Sequence, residues 1–384
     1  MPYFKWTGID ISGKIYKGKD FARSKSQIDS VLFFHDVSLI NIKQVSASLL
    51  EEKISSAHKL EFFRMLSILL GAGVKLHEAL EIILAKQKNG RFKLVIEDIK
   101  DAVGQGINFG EVLGYHNDIF DSLTCALVIS GTESGNLPQS LNIIVESAQE
   151  KQIFLQNLRS ALLMPIITFG FFLVILILLF IFVIPRFVDM FASFGNQIPW
   201  TTKLVINISN AITSFNFVYI LLVVLFFILI FFKKVLKIEK IRKIKDVLLL
   251  KVPVFGQIIL QFNIANFLHT FSVLLQGGVH VVKALEISRQ AVSNSNLTVK
   301  IDRVAKFVES GKNLSEGFKQ VGFDDPELIA LVSVGQESGA LSFTVLKAAQ
   351  IYQDRFYRRI KFLITLIQPL LLIVIGLFIA TLIF

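Results

Sequence analysis

The side chains best suited to enzymatic chemistry do not occur at spacings that would support it. The histidines form no H-E-x-x-H zinc pair, and no Ser/His/Asp or Cys/His arrangement follows from their spacing. The single cysteine, Cys125, excludes an intramolecular disulfide framework and is by default a small buried hydrophobe. We therefore predict no catalytic residue and no metal site. The histidines, expected in core or surface positions, are His35, His58, His77, His116, His269 and His280.

Glycine-rich stretches give no support to a nucleotide site. No G-x-x-x-x-G-K-[ST] phosphate-binding loop occurs, so we do not expect this chain to hydrolyse nucleotide itself. The stretch GQGINFG (104–110) approaches a dinucleotide-binding pattern. No predicted strand precedes it, and its later counterpart ESGKNLS (309–315) loses the pattern. We predict that the protein is not an enzyme and holds no cofactor.

Two carboxylates stand out because they lie in a phrase that the chain repeats. GTESGNL (131–137) and GQESGAL (335–341) agree at five of seven positions. Two interpretations stay open: the carboxylates are solvated residues of a turn, or they contact a partner protein or a cation. The candidate partner-contact residues are Glu133, Ser134 and Gly135 in the first copy and Glu337, Ser338 and Gly339 in the second.

The sequence around this phrase is repeated as well. SILLGAGVKLHEALE (67–81) aligns with SVLLQGGVHVVKALE (272–286) at an offset of 205. GINFGEVL (106–113) aligns with GKNLSEGF (311–318) at the same offset, and the phrase itself aligns at 204. A shared order of motifs at a nearly constant offset indicates a duplicated domain.

Each repeat is predicted to be a bundle of about six short helices. Apolar residues recur at helical spacing, and strand-like alternation is absent from the repeats. Glycines at 71–73 and 277–278 predict a helical hairpin near the start of each repeat. Gly135 and Gly339 suit the left-handed residue that ends a helix. The repeated phrase is therefore predicted to be a tight helix–helix turn.

The N-terminal residues 1–57 differ from both repeats. YFKWTG and KIYKG flank IDISG, as expected for a β-hairpin. Residues 26–34 suit a helix and LINIKQV (39–45) suits a third strand. We predict a small α+β appendage.

Three long uncharged runs predict transmembrane helices. The chain is 53% hydrophobic, and its mean hydropathy is +0.61. The apolar residues concentrate at 162–184, 212–232 and 362–384, and about 20 such residues span the hydrocarbon core as a helix.

Lysine and arginine predict the orientation of these spans. KKVLKIEKIRKIK (233–245) directly follows the second run, whereas the connection 185–211 carries only Arg186 and Lys203. Because basic residues stay on the cytoplasmic side, we expect both repeats in the cytoplasm and 185–211 in the periplasm. Residues 233–251 hold eight Lys/Arg against two acids, which favours contact with anionic membrane lipid over nucleic acid.

The predicted fold class is therefore all-α: a polytopic membrane protein with two cytoplasmic helical bundles, three transmembrane helices and a small α+β appendage. The predicted order is the appendage (1–57), repeat 1 (58–161), the first span (162–184), a periplasmic loop (185–211), the second span (212–232), repeat 2 (233–361) and the third span (362–384).

These motifs resemble a known family, the inner-membrane platform proteins of type II secretion systems and type IV pilus assembly machines. The resemblance covers nearly the whole chain. Both repeats carry its G-V-x-x-x-x-A-L-E pattern, as GVKLHEALE (73–81) and GVHVVKALE (278–286). Pro165 near the start of the first span, PRF (185–187) at its exit and PVFG (253–256) before the second repeat also match.

The resemblance implies a function. A protein of this kind is a non-enzymatic scaffold in the bacterial inner membrane that couples an assembly ATPase to the extraction and polymerisation of pilin-like subunits. Its implied partners are the hexameric cytoplasmic ATPase, other inner-membrane assembly subunits, pilin or pseudopilin subunits, and further copies of itself in a homo-oligomer. The chain departs from the family where an acid commonly follows the first glycine of the phrase, since Thr132 and Gln336 stand there.

A membrane transporter or channel component is the alternative function. Transport usually requires polar or ionisable groups within the spans. The first and third runs offer few polar side chains, namely Thr168, Thr365, Gln368 and Thr381. Nucleotide hydrolysis and solute flux, measured on the purified protein, distinguish an enzyme, a transporter and a scaffold.

Overall fold

Helices account for most of the described chain, and a small sheet lies near its N-terminus. The computed structural model describes residues 3–11, 13–21, 25–34, 37–45, 54–183, 185–186, 245–250, 252 and 255–383. The predicted second span at 212–232 lies outside the described residues.

The N-terminal appendage is a three-stranded antiparallel sheet with one helix, as predicted. The sheet order is β2-β1-β3, so the first strand lies in the centre. Phe4, Ile28 and Leu32 are buried together between helix and sheet. The elements are β1 (Tyr3–Asp10), β2 (Ile15–Phe21), α1 (Lys25–Phe34) and β3 (Val37–Val45).

Repeat 1 consists of short helices that lead into one long helix. Gly73, Gly106 and Gly135 lie between helices with φ of +85°, +86° and +69°, a conformation that costs glycine little. Phe62 packs against Phe63 and Phe92 with ring centroids 5.1 and 5.6 Å apart, and all three rings are buried. The helices are α2 (Ser56–Gly71), α3 (Leu76–Lys86), α4 (Gly90–Gly104), α5 (Phe109–Tyr115), α6 (Ser122–Glu133) and α7 (Leu137–Leu178).

Repeat 2 has the same sequence of helices and turns. Gly278, Gly311 and Gly339 have φ of +77°, +83° and +72°, at the positions that the two offsets predict. Phe267 is buried against Phe318 with ring centroids 6.2 Å apart. The helices are α8 (Phe255–Gln276), α9 (Val281–Ser288), α10 (Ser295–Glu309), α11 (Leu314–Gln320), α12 (Pro326–Glu337) and α13 (Leu341–Ile383).

The compact units of the structure do not follow the sequence repeats. The first unit contains residues 1–151 together with 270–287, and the second contains 152–269 together with 288–384. Inside the first unit, the tip of the α8–α9 hairpin packs against α6. The Ser130 hydroxyl donates a 2.7 Å hydrogen bond to the backbone oxygen of Gly277. One hairpin that belongs to repeat 2 by sequence is therefore part of the unit that holds repeat 1.

Three of the described helical segments are long and apolar enough to cross a membrane, judged by length and composition. They are 137–183, α8 and 341–377. In the most apolar windows of the first and third, 0% and 6% of residues are buried, against 61% in α8. Because most of α8 is already covered by protein, α7 and α13 are the helices that match the predicted first and third spans.

Candidate functional site

The repeated phrase forms a helix–helix turn in both repeats. It joins α6 to α7 in the first copy and α12 to α13 in the second. Ser134 and Ser338 end the shorter helices, and their hydroxyls donate 2.7 Å hydrogen bonds to the backbone oxygens of Ser130 and Val334. The glycine that follows each serine has a positive φ, as predicted, and closes the helix.

The first glycine of each phrase serves a different purpose. A Cβ at Gly131 would overlap the Ser140 side chain and lie 3.2 Å from the Leu137 Cα. A Cβ at Gly335 would overlap Thr344 and lie 3.0 Å from the Leu341 Cα. Both glycines are buried within helices. Glycine is needed at these positions because the long helix packs directly against them.

The second residue of each phrase ties the end of its helix to the start of the preceding helix. The Thr132 hydroxyl accepts a 3.1 Å hydrogen bond from the Asn108 amide. Gln336 occupies the same place in repeat 2: its amide donates to Asn313 Oδ1 at 3.2 Å, and its carbonyl accepts from the Leu314 N–H at 3.1 Å. These neutral residues thus hold an asparagine at the start of α5 and α11.

All six candidate contact residues are exposed at the surface. Glu337 accepts a 3.1 Å hydrogen bond from Ser333 on its own helix. Each Glu-Ser-Gly triplet is brought together by its turn. The Glu133 turn belongs to the first compact unit and the Glu337 turn to the second. Exposed carboxylates on a rigid turn are suited to binding a partner, and the role of these residues stays a prediction.

A charged cluster that sequence reasoning missed joins α12 to α13 in repeat 2. Arg355 pairs with Asp325, and its second nitrogen lies 2.6 Å from Glu327 Oε2. The Tyr352 hydroxyl donates a 2.7 Å hydrogen bond to the same Asp325 carboxylate. Asp325 also accepts from the Glu327 N–H at the start of α12. The cluster holds the beginning of α12 against the long helix.

Hydrogen bonds and charge keep Asp325 and Arg355 ionised at neutral pH. Burial raises the pKa of the Asp325 carboxyl, but hydrogen bonds from Tyr352, Arg355 and the Glu327 N–H, together with the Arg355 charge, bring it below its usual value. Burial and the hydrogen bond to Asp325 raise the pKa of Tyr352 far above that of a free tyrosine. The hydrogen bond to Asp325 likewise raises the pKa of Arg355.

A second missed feature is an aromatic cluster within the second compact unit. Phe154 on α7 packs against Phe262 on α8 and against Phe356 and Tyr357 on α13, with ring centroids 6.2, 5.9 and 5.2 Å apart. The Tyr357 hydroxyl donates a 3.0 Å hydrogen bond to the backbone oxygen of Phe154. The two long helices therefore contact each other shortly before their apolar segments begin.

The missed residues carried only a weak signal in the sequence. Arg355 and Tyr357 lie in DRFYRRIK (354–361), which counts as a basic stretch in any topology prediction. Phe154 lies in a long helix without a motif around it. Aromatic residues next to charges, just before an apolar run, were the one available hint of a helix contact.

The long helices run without interruption from the turns into the apolar segments. α7 has 42 residues and α13 has 43, so each is about 60 Å long. Pro165 and Pro369 lie inside them at matching positions. Each turn is therefore joined to an apolar segment by one helix.

The contacts of the histidines and of the cysteine decide whether the residues considered for chemistry form a site. His58 forms a capping box with Ser55 at the start of α2. His116 lies 4.0 Å from Asp98, and His35 lies outside the described residues. Across the part of the chain that is described, no group of three His, Cys, Asp or Glu side chains is arranged to hold a metal ion. Burial and then the nearby Asp121 raise the pKa of Cys125 to about 11, so its thiol stays protonated at neutral pH.

Comparison with known proteins finds the same duplicated domain. The sequence profile of the family described as Type II secretion system (T2SS), protein F, matches residues 62–185 and again residues 267–384. The two matches cover most of each bundle and both long helices.

Individual relatives come from both kinds of machine. The chain is 29% identical to the type IV pilus assembly protein PilC of Thermus thermophilus over 317 residues, which cover 82% of this chain and 77% of that protein. It is 26% identical to PilC of Myxococcus xanthus over 381 residues, covering 97% and 90%. It is 25% identical to type II secretion system protein F of Aeromonas hydrophila over 310 residues, covering 81% and 79%.

The duplicated bundle, the repeated turn and the two long helices thus coincide with the matched segments. This chain belongs to the type II secretion system protein F family.

Proposed function

We propose that this protein is a non-enzymatic platform in the bacterial inner membrane. It couples a cytoplasmic assembly ATPase to the extraction of pilin-like subunits from the bilayer and to their polymerisation. The family match and the names of the relatives support membership of a secretion or pilus machine.

The observation that carries this proposal is the continuity of α7 and α13. Each begins at an exposed turn of a folded bundle and ends as an apolar helix whose side chains are exposed in the isolated chain. Large exposed apolar surfaces of this kind suit a lipid bilayer. A force applied at the turn reaches the membrane along the backbone of one helix.

The charged cluster and the aromatic cluster would both help the long helices to act as levers. The cluster around Arg355 fixes α12 to α13, so the turn of repeat 2 cannot swing independently of its long helix. The cluster around Phe154 links α7 and α13 near the predicted membrane surface. Motion of one long helix is thereby passed to the other.

The polar groups of the apolar segments do not favour a solute path. The Thr168 hydroxyl donates a 2.9 Å hydrogen bond to Met164 O, and the Thr365 hydroxyl donates one of 2.9 Å to Lys361 O. Each hydroxyl thereby uses its single hydrogen within its own helix and has no donor left for a transported anion or acceptor solute.

A reconstitution experiment tests the proposal. Purified protein in proteoliposomes is expected to hydrolyse no nucleotide and to pass no ions. A strain that lacks the gene is expected to keep normal levels of pilin or pseudopilin in its membrane and to assemble none of it. Nucleotide hydrolysis by the protein alone, specific solute flux, or normal assembly in the deletion strain would each contradict the proposal.

A further inference from the structure

The contact between α6 and the α8–α9 hairpin involves one of two hairpin tips and one of two equivalent helices that the duplication provides. Its acceptor is the tip of a hairpin from repeat 2, and its donor is a helix of repeat 1. The duplication supplies a second hairpin tip, between α2 and α3, and a second helix, α12. Position 68 on α2 and position 72 just after it correspond to 273 on α8 and 277 just after it, at the offset of 205.

Equivalent positions differ sharply in exposure. Val273 on the used hairpin is 5% exposed, whereas its counterpart Ile68 on α2 is 64% exposed. On the helices, Ser130 of α6 is partly buried, whereas its counterpart Val334 of α12 is 58% exposed. The described structure therefore leaves one hairpin tip and one helix face bare, and their duplicates contact each other.

The two bare faces match in chemistry. The tip of the α2–α3 hairpin offers Ile68 and Ala72, with open space around Gly71 and Gly73. The face of α12 offers Leu331 and Val334. Arg64 lies one turn before Ile68 on α2; its side chain is 44% exposed and 3.9 Å from Glu61. On the other surface, α12 ends at the exposed Glu337. An apolar centre with opposite charges at its edge is the usual composition of a protein interface.

Two sequence differences between the repeats distinguish the observed contact from the bare pair of faces. In the used contact Ser130 donates a hydrogen bond to Gly277, and a Cβ at Gly277 would overlap Leu127. In the bare pair Ala72 stands in place of the glycine and Val334 in place of the serine, so an apolar contact between them would replace the hydrogen bond. If the α2–α3 tip took the place of the α8–α9 tip, the Ala72 methyl group would overlap Leu127, which is fully buried and has little room to shift. The α2–α3 tip is therefore suited to α12 rather than to α6.

We propose that the α2–α3 tip of one copy of this protein binds the exposed face of α12 on a second copy. The two surfaces differ, so the contact is heterologous and repeats from copy to copy until it closes on itself. Copies held in one membrane have already lost much of their freedom to translate and rotate, which lowers the cost of a small contact.

Disulfide cross-linking in membranes tests the proposal on the full chain. In a Cys125→Ser background, Ile68→Cys is placed on one tagged chain and Val334→Cys on a second chain with another tag. Oxidation is expected to join the two tags, and neither variant expressed with a cysteine-free partner is expected to form the product. Val299→Cys replaces Val334→Cys as the matched control, since Val299 is also apolar and exposed in repeat 2. Cross-linking equal to this control, or none, would overturn the proposal.

Self-association of the purified protein provides a second test that does not depend on introduced cysteines. Val334→Asp in purified protein is expected to weaken self-association by about tenfold or more, because charge is placed at the centre of the contact. Thermal unfolding of this variant is expected to match wild type, since Val334 is exposed. A wild-type protein that is monomeric at all concentrations, or an unchanged oligomer in Val334→Asp, would also overturn the proposal, and the former would indicate that a different protein covers these faces.

Discussion

At the scale of single residues, Gly131 and Gly335 are required by a helix contact. Replacing either by alanine places a methyl group against the long helix, where the nearest backbone atoms lie 3.2 and 3.0 Å away. We expect each substitution to lower the free energy of unfolding by about 1–3 kcal/mol, as overfilled packing does. Thermal unfolding of the detergent-solubilised protein measures this.

Gly114→Ala is the matched control for both substitutions. Gly114 is also helical, but it is exposed and a Cβ there meets open space. Alanine is expected to be neutral or stabilising at this position, because it restricts the unfolded chain. Equal destabilisation at all three glycines would contradict the packing explanation.

The lowered pKa of Asp325 predicts that the stability of repeat 2 depends on pH. Its pKa is lower in the folded protein than the value of about 3.9 for a free aspartate. Its stabilising contribution is therefore present above that value and is lost as the pH falls through the folded pKa. Asp325→Asn is expected to cost about 1–2 kcal/mol at pH 7.

The difference between Asp325→Asn and wild type should shrink as the pH is lowered below about 4. Denaturant unfolding at a series of pH values measures it. Asp324→Asn is the control, because Asp324 is the exposed neighbour. A stability deficit that is independent of pH, or equal in both variants, would contradict the role of the charged cluster.

At the scale of elements, the aromatic cluster links the two long helices. Phe154 has three ring contacts and accepts a hydrogen bond from Tyr357. Each aromatic pair contributes about 0.5–1.5 kcal/mol beyond burial. Phe154→Ala is expected to speed hydrogen exchange in both α7 and α13, whereas Leu155→Ala, at the exposed neighbour, is not. Faster exchange confined to α7 would show that the helices are not coupled there.

Local signals in the sequence were sufficient to predict the elements. The glycines at 73 and 135 marked helix ends, and their counterparts in repeat 2 do the same. The apolar runs marked α7 and α13, and the IDISG turn marked the N-terminal hairpin. These features depend on a few neighbouring residues, which a sequence displays directly.

Contacts between distant segments were not predictable in this way. The α8–α9 tip lies in the unit of repeat 1 because Gly277 fits against Leu127 and Ser130. Helical periodicity tells which face of a helix is apolar, and it does not tell which other face will cover it. For the same reason, Arg355 was recognised as a basic residue and its partner Asp325 was missed.

At the scale of the whole molecule, the orientation in the membrane can be tested directly. The sparse Lys and Arg between 185 and 211 predict that this loop is periplasmic. In a Cys125→Ser background, a cysteine at Asn196 is expected to react with a membrane-impermeant thiol reagent in intact spheroplasts. Cysteines at Lys88 and Lys312, one in each repeat, are expected to react only after lysis. The reverse labelling would overturn the topology.

The central claim is that the repeated turns receive force from a partner and pass it to the membrane. The variant that tests it combines Glu133→Lys with Glu337→Lys. Both carboxylates are exposed, and surface substitutions usually change stability by less than about 0.5 kcal/mol. The control combines Glu81→Lys with Glu286→Lys, another duplicated pair of exposed carboxylates. Glu286 forms a surface ion pair with Lys283, which contributes little to stability.

The decisive measurement is the amount of assembly ATPase that co-purifies with each variant, recorded beside pilus or pseudopilus assembly and the abundance of the protein in the membrane. We predict that the turn variant loses ATPase and assembly at normal abundance, while the control pair retains both. Undiminished co-purification and normal assembly in the turn variant would contradict the claim and would leave Glu133 and Glu337 as solvated residues of a turn.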